Sequence, residues 1–309
     1  MSSVGLWNQG LYRETVGLII VFLLSFGFIL FFLRKRNPRF TTAWVSVKSW
    51  IFAAPILMFF VGLPAPWPLI MLTILCIYSA KTFFRMVGMY HRPWFVWITY
   101  VFIIALGVMI HNGQTRYFNL MPMIFLFACC FIPFLRNSYA HMIQYIALSL
   151  LCFIFLGWSL MHIGLILYFK KGLYVVLYLY LLAEFSFNSA IFFGRFWGKI
   201  KVFDKIAPRL TVTGLIFSVF VTTLIAWGMR HMLPNRSEPY WLAAAAVVTV
   251  FSRCGDLVLS VIRRDLGIKD SGIFIIGRDD VLARVDKFIF AAPIFYYVFQ
   301  VLEQIYPVK

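Results

Sequence analysis

VGLIIVFLLSFGFILFFLRKRNPR, Val16–Arg39, is an apolar run closed by Arg34, Lys35, Arg36 and Arg39. A bilayer core takes about 20 apolar residues as a helix, and Val16–Leu33 is close to that length. A basic cluster directly behind such a run marks its cytoplasmic end. The stretch therefore reads as a transmembrane helix that starts outside and ends inside.

Outward from it the pattern repeats. The chain has 309 residues, 62% hydrophobic and 13% charged, with a mean hydropathy of +0.88. No water-soluble globule has that composition. Further spans read at Trp50–Leu63, Pro68–Ala80, Trp94–Ile110, Leu120–Leu135, Met142–Phe169, Leu173–Phe193, Thr211–Met229, Tyr240–Phe251 and Phe288–Tyr306. The expected fold is all-α, a polytopic integral membrane protein with about ten transmembrane helices and both ends outside. Three-quarters of the 28 Lys and Arg fall on the segments this topology puts inside. The chain divides into N-terminal helices, 1–180, and a C-terminal region, 181–309, that carries the polar loops.

The net charge of +17 does not mark a nucleic-acid binder. Its basic residues sit in short clusters between apolar runs, where they set topology and face anionic lipid headgroups. The five cysteines, Cys76, Cys129, Cys130, Cys152 and Cys254, form no Cys-x-x-Cys pair and read as packing residues. The N-terminus is not expected to be a cleaved signal, because its basic cluster follows the first apolar run instead of preceding it.

One polar island breaks the hydrocarbon: FSRCGDLVLSVIRRDLGIKDSGIFIIGRDDVLARVDKFIFAAP, Phe251–Pro293. Of 11 acidic residues it holds Asp256, Asp265, Asp270, Asp279, Asp280 and Asp286. Asp256, Ser260 and Arg263/Arg264 share one face of a helix that Gly267 should end. The IKDSG turn groups Lys269, Asp270 and Ser271, and a second helix opening at Gly277 puts Asp279, Ala283 and Asp286 on one face. Carboxylates set among Arg, Lys, Ser and Gly at a membrane surface suit Mg2+ together with a phosphorylated substrate. The plain alternative is that Asp and Arg pair with each other to solvate a loop. Upstream, Glu184 is an acid inside a span: a member of the site, or a hydrogen-bond partner of a neighbouring helix. His91, His111, His141, His162 and His231 all lie outside the island and are not expected as ligands.

The island closely resembles the C-terminal motif of the phosphatidate cytidylyltransferases (CDP-diglyceride synthases). The matching residues are Gly255, Asp256, Ser260, Arg264, Lys269, Asp270, Ser271, Gly272, Gly277, Arg284 and Asp286. A weaker match lies upstream, at Gly194, Arg195, Gly198, Lys199, Lys201, Ile206, Pro208, Thr211 and Gly214. Together they span about the last two-fifths of the chain, and the first 180 residues match only in being apolar spans.

The resemblance implies an enzyme that takes CTP and phosphatidic acid, or a related lipid phosphate, and forms CDP-diacylglycerol and pyrophosphate. It implies Asp256, Lys269, Asp270 and Asp286 as catalytic residues. Asp256, Asp279 and Asp286 would hold Mg2+, with Asp270 beside them. Arg195, Lys199, Ser260, Arg263, Arg264, Ser271 and Arg284 would bind substrate. The expected setting is a bacterial inner membrane with the site on the cytoplasmic side; a homodimer is a possible assembly.

Departures from the family pattern are equally specific. Phe187 stands where the family usually has an acid, Leu210 and Thr213 replace a Lys and a Glu, and Arg278-Asp279-Asp280 replaces His-Gly-Gly. Ala283 replaces the Asp before Arg284. On a helix Asp279 lies one turn before Ala283 and could take over its carboxylate's place; otherwise Asp280 simply pairs with Arg284. The alternative to an enzyme is a weakened member that binds nucleotide or anionic lipid, or a scaffold for lipid synthesis. A transporter rests on span number alone.

Overall fold

The computed structural model describes residues 5–36, 40–235, 237–267 and 281–306. Every apolar run named above lies in a helix. The first five are α1 (Gly10–Arg36), α2 (Phe40–Val61), α3 (Trp67–Met86), α4 (Pro93–His111) and α5 (Met121–Arg136). A single rod follows, made of α6 (Met142–Cys152), a π turn (Phe153–Trp158) and α7 (Ser159–Ile166). Then come α8 (Gly172–Trp197), α9 (Val212–Gly228), α10 (Glu238–Asp265), α11 (Leu282–Val285) and α12 (Phe288–Ile305).

Among the described residues eight helices are long and apolar enough to cross a membrane, and α9 is a shorter apolar one. The protein is a polytopic, all-α membrane protein. Breaks fall where the chemistry requires them. Pro66 and Pro68 open α3, Pro93 opens α4, and Asn137 closes α5 in the left-handed region at φ 45°.

The C-terminal helices pack as a core group: α8 lies along α9, α10 lies along α12 and also touches α9 and α8, and α12 reaches across to α7. Helices α3 to α7 surround the π turn, and α1 pairs with α2 at the rim. Only 17% of the apolar window of α1 is buried, so Leu18, Phe22, Leu24, Phe28 and Phe32 face lipid, while Leu30 turns into the core. Tyr12 ties α1 to α2 by donating to the Met58 carbonyl at 2.6 Å, and Tyr178 ties α8 to α9 by donating to that of Ala226 at 3.0 Å.

Two local features go beyond the sequence reading. The basic stretch after α8, read as a loop, forms an antiparallel hairpin of β1 (Lys201–Phe203) and β2 (Ala207–Thr211). The span read to Phe251 runs on without a break as α10 to Asp265, since its polar residues gather on one side and never interrupt the helix. Gly267, at φ +68°, ends that helix as its sequence position implied, and its N–H donates to the Arg264 carbonyl at 3.0 Å.

Candidate functional site at the α10–α12 junction

The site begins with a close approach. A Cβ on Gly255 of α10 would collide with the main-chain carbonyl of Asp286, which lies between α11 and α12. Only glycine allows that contact. It brings the α11–α12 junction onto α10 and sets Asp286 within electrostatic reach of Asp256, one residue on from Gly255.

Asp286 is 1% exposed. Its Oδ1 accepts the Lys287 backbone N–H at 2.7 Å, and its Oδ2 stands 3.8 Å from an Arg263 guanidinium nitrogen. Burial pushes its carboxyl well above the ordinary value of 3.8, and the negative charge of Asp256 adds to the rise. Lys287 and Arg263 pull the other way. A desolvated carboxylate facing a second one is a pair that a hard, oxygen-seeking divalent cation relieves, so Asp256 and Asp286 fit the ligand chemistry of Mg2+. Among the described residues no group of three or more His, Cys, Asp or Glu gathers. Asp279, expected as the third metal ligand, lies outside the described residues, as do Lys269, Asp270 and Ser271.

The stripe on α10 is longer than the sequence reading made it. Arg253, Asp256, Ser260 and Arg263 recur at helical spacing on one side. Ser260 and Arg253 are buried, Asp256 is half-buried, and Arg264, close to the helix end, is exposed. Arg264 Nε donates to the Ile206 carbonyl at 2.7 Å and so ties the end of α10 to the β1–β2 turn. Arg284 sits on α11 and acts electrostatically on Tyr180. Arg195 and Lys199 stand exposed at the end of α8, apart from the charges that act on Asp286.

The weaker upstream match has a structural meaning. Thr211 caps α9 by accepting the Gly214 N–H at 3.1 Å. Its Oγ1 also sits where a Cβ on Gly194 (2.7 Å), Gly198 or Gly214 (3.1 Å) would press on it. These four residues form one close-packed corner that joins α8, the hairpin and α9.

Two participants escaped the sequence reading. Lys287 reaches from the start of α12 into α8 and forms a buried ion pair with Glu184 Oε1. Arg253 donates to the Ser186 carbonyl at 2.6 Å. Both cations lie over the Phe187 ring, Arg253 at 4.9 Å and Lys287 at 5.3 Å from its centre. The signal for Lys287 was Glu184 itself, since an acid inside a span requires a counter-charge. Arg253 was legible as the residue one turn before Asp256.

His162 is fully buried among Phe118, Trp158, Tyr296 and Tyr297, as a packing residue would be. All five cysteines are free.

A multi-span membrane bundle with a buried and a half-buried carboxylate at a helix junction, set among Arg and Lys, is the class of protein that fold and site define. The chain belongs to the cytidylyltransferase family, whose model matches residues 44–302. That match starts far upstream of the motif, so the family signature includes the early helices as well.

Among curated relatives, the chain is 33% identical over 128 residues to the uncharacterized protein YnbB of Escherichia coli, covering 41% of this chain and 43% of that one. It is 31% identical over 126 residues to a phosphatidate cytidylyltransferase of Staphylococcus aureus, covering 40% and 48%. The same identity and coverage hold for the phosphatidate cytidylyltransferase of Staphylococcus haemolyticus. These matches span about half the length of the curated relatives.

Proposed function

We propose that this protein transfers the cytidylyl group of CTP to phosphatidic acid or a related lipid phosphate, giving CDP-diacylglycerol and pyrophosphate. A phosphate oxygen of the lipid attacks the α-phosphorus of CTP. The bond from that phosphorus to the oxygen bridging to the β-phosphate breaks, and pyrophosphate leaves. The observation that carries the reading is the Gly255–Asp286 contact, which joins two separate parts of the family motif into one carboxylate pair.

Asp256 and Asp286, with Asp270 and Asp279 from the intervening segment, would hold Mg2+, which neutralises phosphate charge when bound. The chain's own cations do the rest. Arg263, beside Asp286, orients a phosphate; Arg264, Lys269 and Arg284 add positive charge around two polyanionic substrates; Ser260 and Ser271 hydrogen-bond to them. The lipid substrate arrives from the bilayer, at the leaflet on which the basic segments lie. The site faces the cytoplasm, the membrane is a bacterial inner membrane, and a homodimer is the assembly to look for.

A second reading has one observation in its favour: Phe187, where the family resemblance leads one to expect an acid, offers no ligand and is covered by two cations. In that reading CTP and phosphatidate bind without turnover. The two separate in one assay. Purified protein in detergent should release pyrophosphate from CTP only when both a lipid phosphate and Mg2+ are present, and Asp256→Asn should abolish the release. Saturable CTP binding without release across several lipid phosphates favours the second reading.

A further inference from the structure

Beside the carboxylate pair lies a second charged group that the proposed reaction does not use. Glu184 sits near the middle of α8 and is 7% exposed; Lys287 is 3% and Arg253 5% exposed. Glu184 is fully engaged: Oε1 takes the Lys287 ammonium, and Oε2 takes the Asn188 amide at 3.3 Å. Lys287 directly follows Asp286, donates its backbone N–H to that carboxylate, and exerts its side-chain charge on it. Arg253 is in turn acted on by Asp256 and Asp286. Among the described residues, then, the acids Glu184, Asp256 and Asp286 face the cations Arg253, Arg263 and Lys287.

Phe187 joins the two halves. A benzyl ring offers no ligand, but its face attracts cations, and both Arg253 and Lys287 lie over it. The Phe187 ring and the two buried side-chain cations are thus one arrangement. A buried ion pair kept for stability alone gains little over an apolar pair of the same size. This one is spent next to the site, with its cation one residue from Asp286.

We propose that Lys287, anchored by Glu184 and seated with Arg253 on the Phe187 ring, is a built-in counter-cation of the site. It is a positioning residue that balances Asp286 and sets how strongly Asp256 and Asp286 take a divalent cation. This rests on the reading that the two aspartates hold such a cation, and not on the transfer reaction itself.

The test is direct titration of Mn2+ onto the full-length protein in detergent, with free Mn2+ read by its paramagnetic resonance signal. Four forms are compared: the unaltered chain, Lys287→Arg, Lys287→Met, and the exchange Glu184→Lys with Lys287→Glu. Lys287→Arg keeps the cation and should bind Mn2+ as the unaltered chain does. The exchange keeps the ion pair but turns the charge beside Asp286 negative, so Mn2+ should bind at least about tenfold tighter, a unit charge at such range being worth that much at protein-like screening.

If the exchange does not fold, Lys287→Met carries the test in the same direction. In each tightened form Asp256→Asn should remove the gain. A purely structural pair predicts that the exchange binds Mn2+ as the unaltered chain does, and that result overturns the proposal. So does the absence of any Asp256-dependent Mn2+ binding in every form. Failure of cytidylyl transfer with the Mn2+ difference intact would remove the reaction and leave the counter-cation standing.

Discussion

Gly255 and the main-chain carbonyl of Asp286 touch so closely that no side chain fits between α10 and the α11–α12 junction. The obstacle is backbone, which cannot swing aside as a flexible side chain would. Gly255→Ala should therefore push the junction away from α10 at a cost of at least about 1–3 kcal/mol, the range for overpacking. Thermal unfolding in detergent measures the loss, and Cys254→Ala, one residue away and half-buried, serves as the comparison that should change little.

The Glu184–Lys287 pair predicts a specific non-additivity. Removing one partner leaves the other charged and buried, at a cost of roughly 3–5 kcal/mol. Glu184→Gln and Lys287→Met should each lower the melting temperature sharply, while the double replacement should recover much of the loss. Additive losses in the double-mutant cycle would show that the two charges do not depend on each other.

Asp286 gives the metal-free protein a pH signature. Its carboxyl is raised in the folded state by burial and by Asp256, so the folded protein holds that proton more tightly than the unfolded chain. The stability this contributes is fully present below the ordinary carboxylate value of 3.8 and is lost as pH rises through the raised folded value. Melting temperatures in the presence of a chelator should fall along that window. Asp286→Asn should flatten the fall, and an unchanged slope would speak against it.

Thr211 holds the α8–hairpin–α9 corner through its side chain. Thr211→Val keeps the shape and removes the acceptor for the Gly214 N–H. The loss should be about 1 kcal/mol, as for other N-cap replacements. Proteolysis should report it first at the hairpin, the element that corner fastens.

The membrane architecture was legible in the chain because lipid imposes a simple rule. A span must be apolar for about 20 residues, and basic clusters and prolines stand where it stops. Every run from Val16 onward became a helix for that reason. The carboxylate pair was legible too, because Gly255, Asp256 and Asp286 belong to one recognisable motif. What could not be read were relations between distant positions. Nothing local to Glu184 names Lys287, more than a hundred residues away, as its partner, and nothing in Phe187 says that two cations lie on its ring. The hairpin was hidden as well: its strands are short, and its basic residues are those of any basic loop between spans.

The most direct measurement is pyrophosphate release from CTP by purified protein in detergent micelles containing phosphatidic acid. Release that requires both Mg2+ and the lipid phosphate, yields CDP-diacylglycerol in equal amount, and falls at least about a hundredfold in Asp256→Asn is the result predicted, since removing one group that stabilises transition-state charge commonly costs that much. No release above the Asp256→Asn background from folded protein, across phosphatidic acids of several chain lengths and related lipid phosphates, would contradict the assignment of this site to cytidylyl transfer.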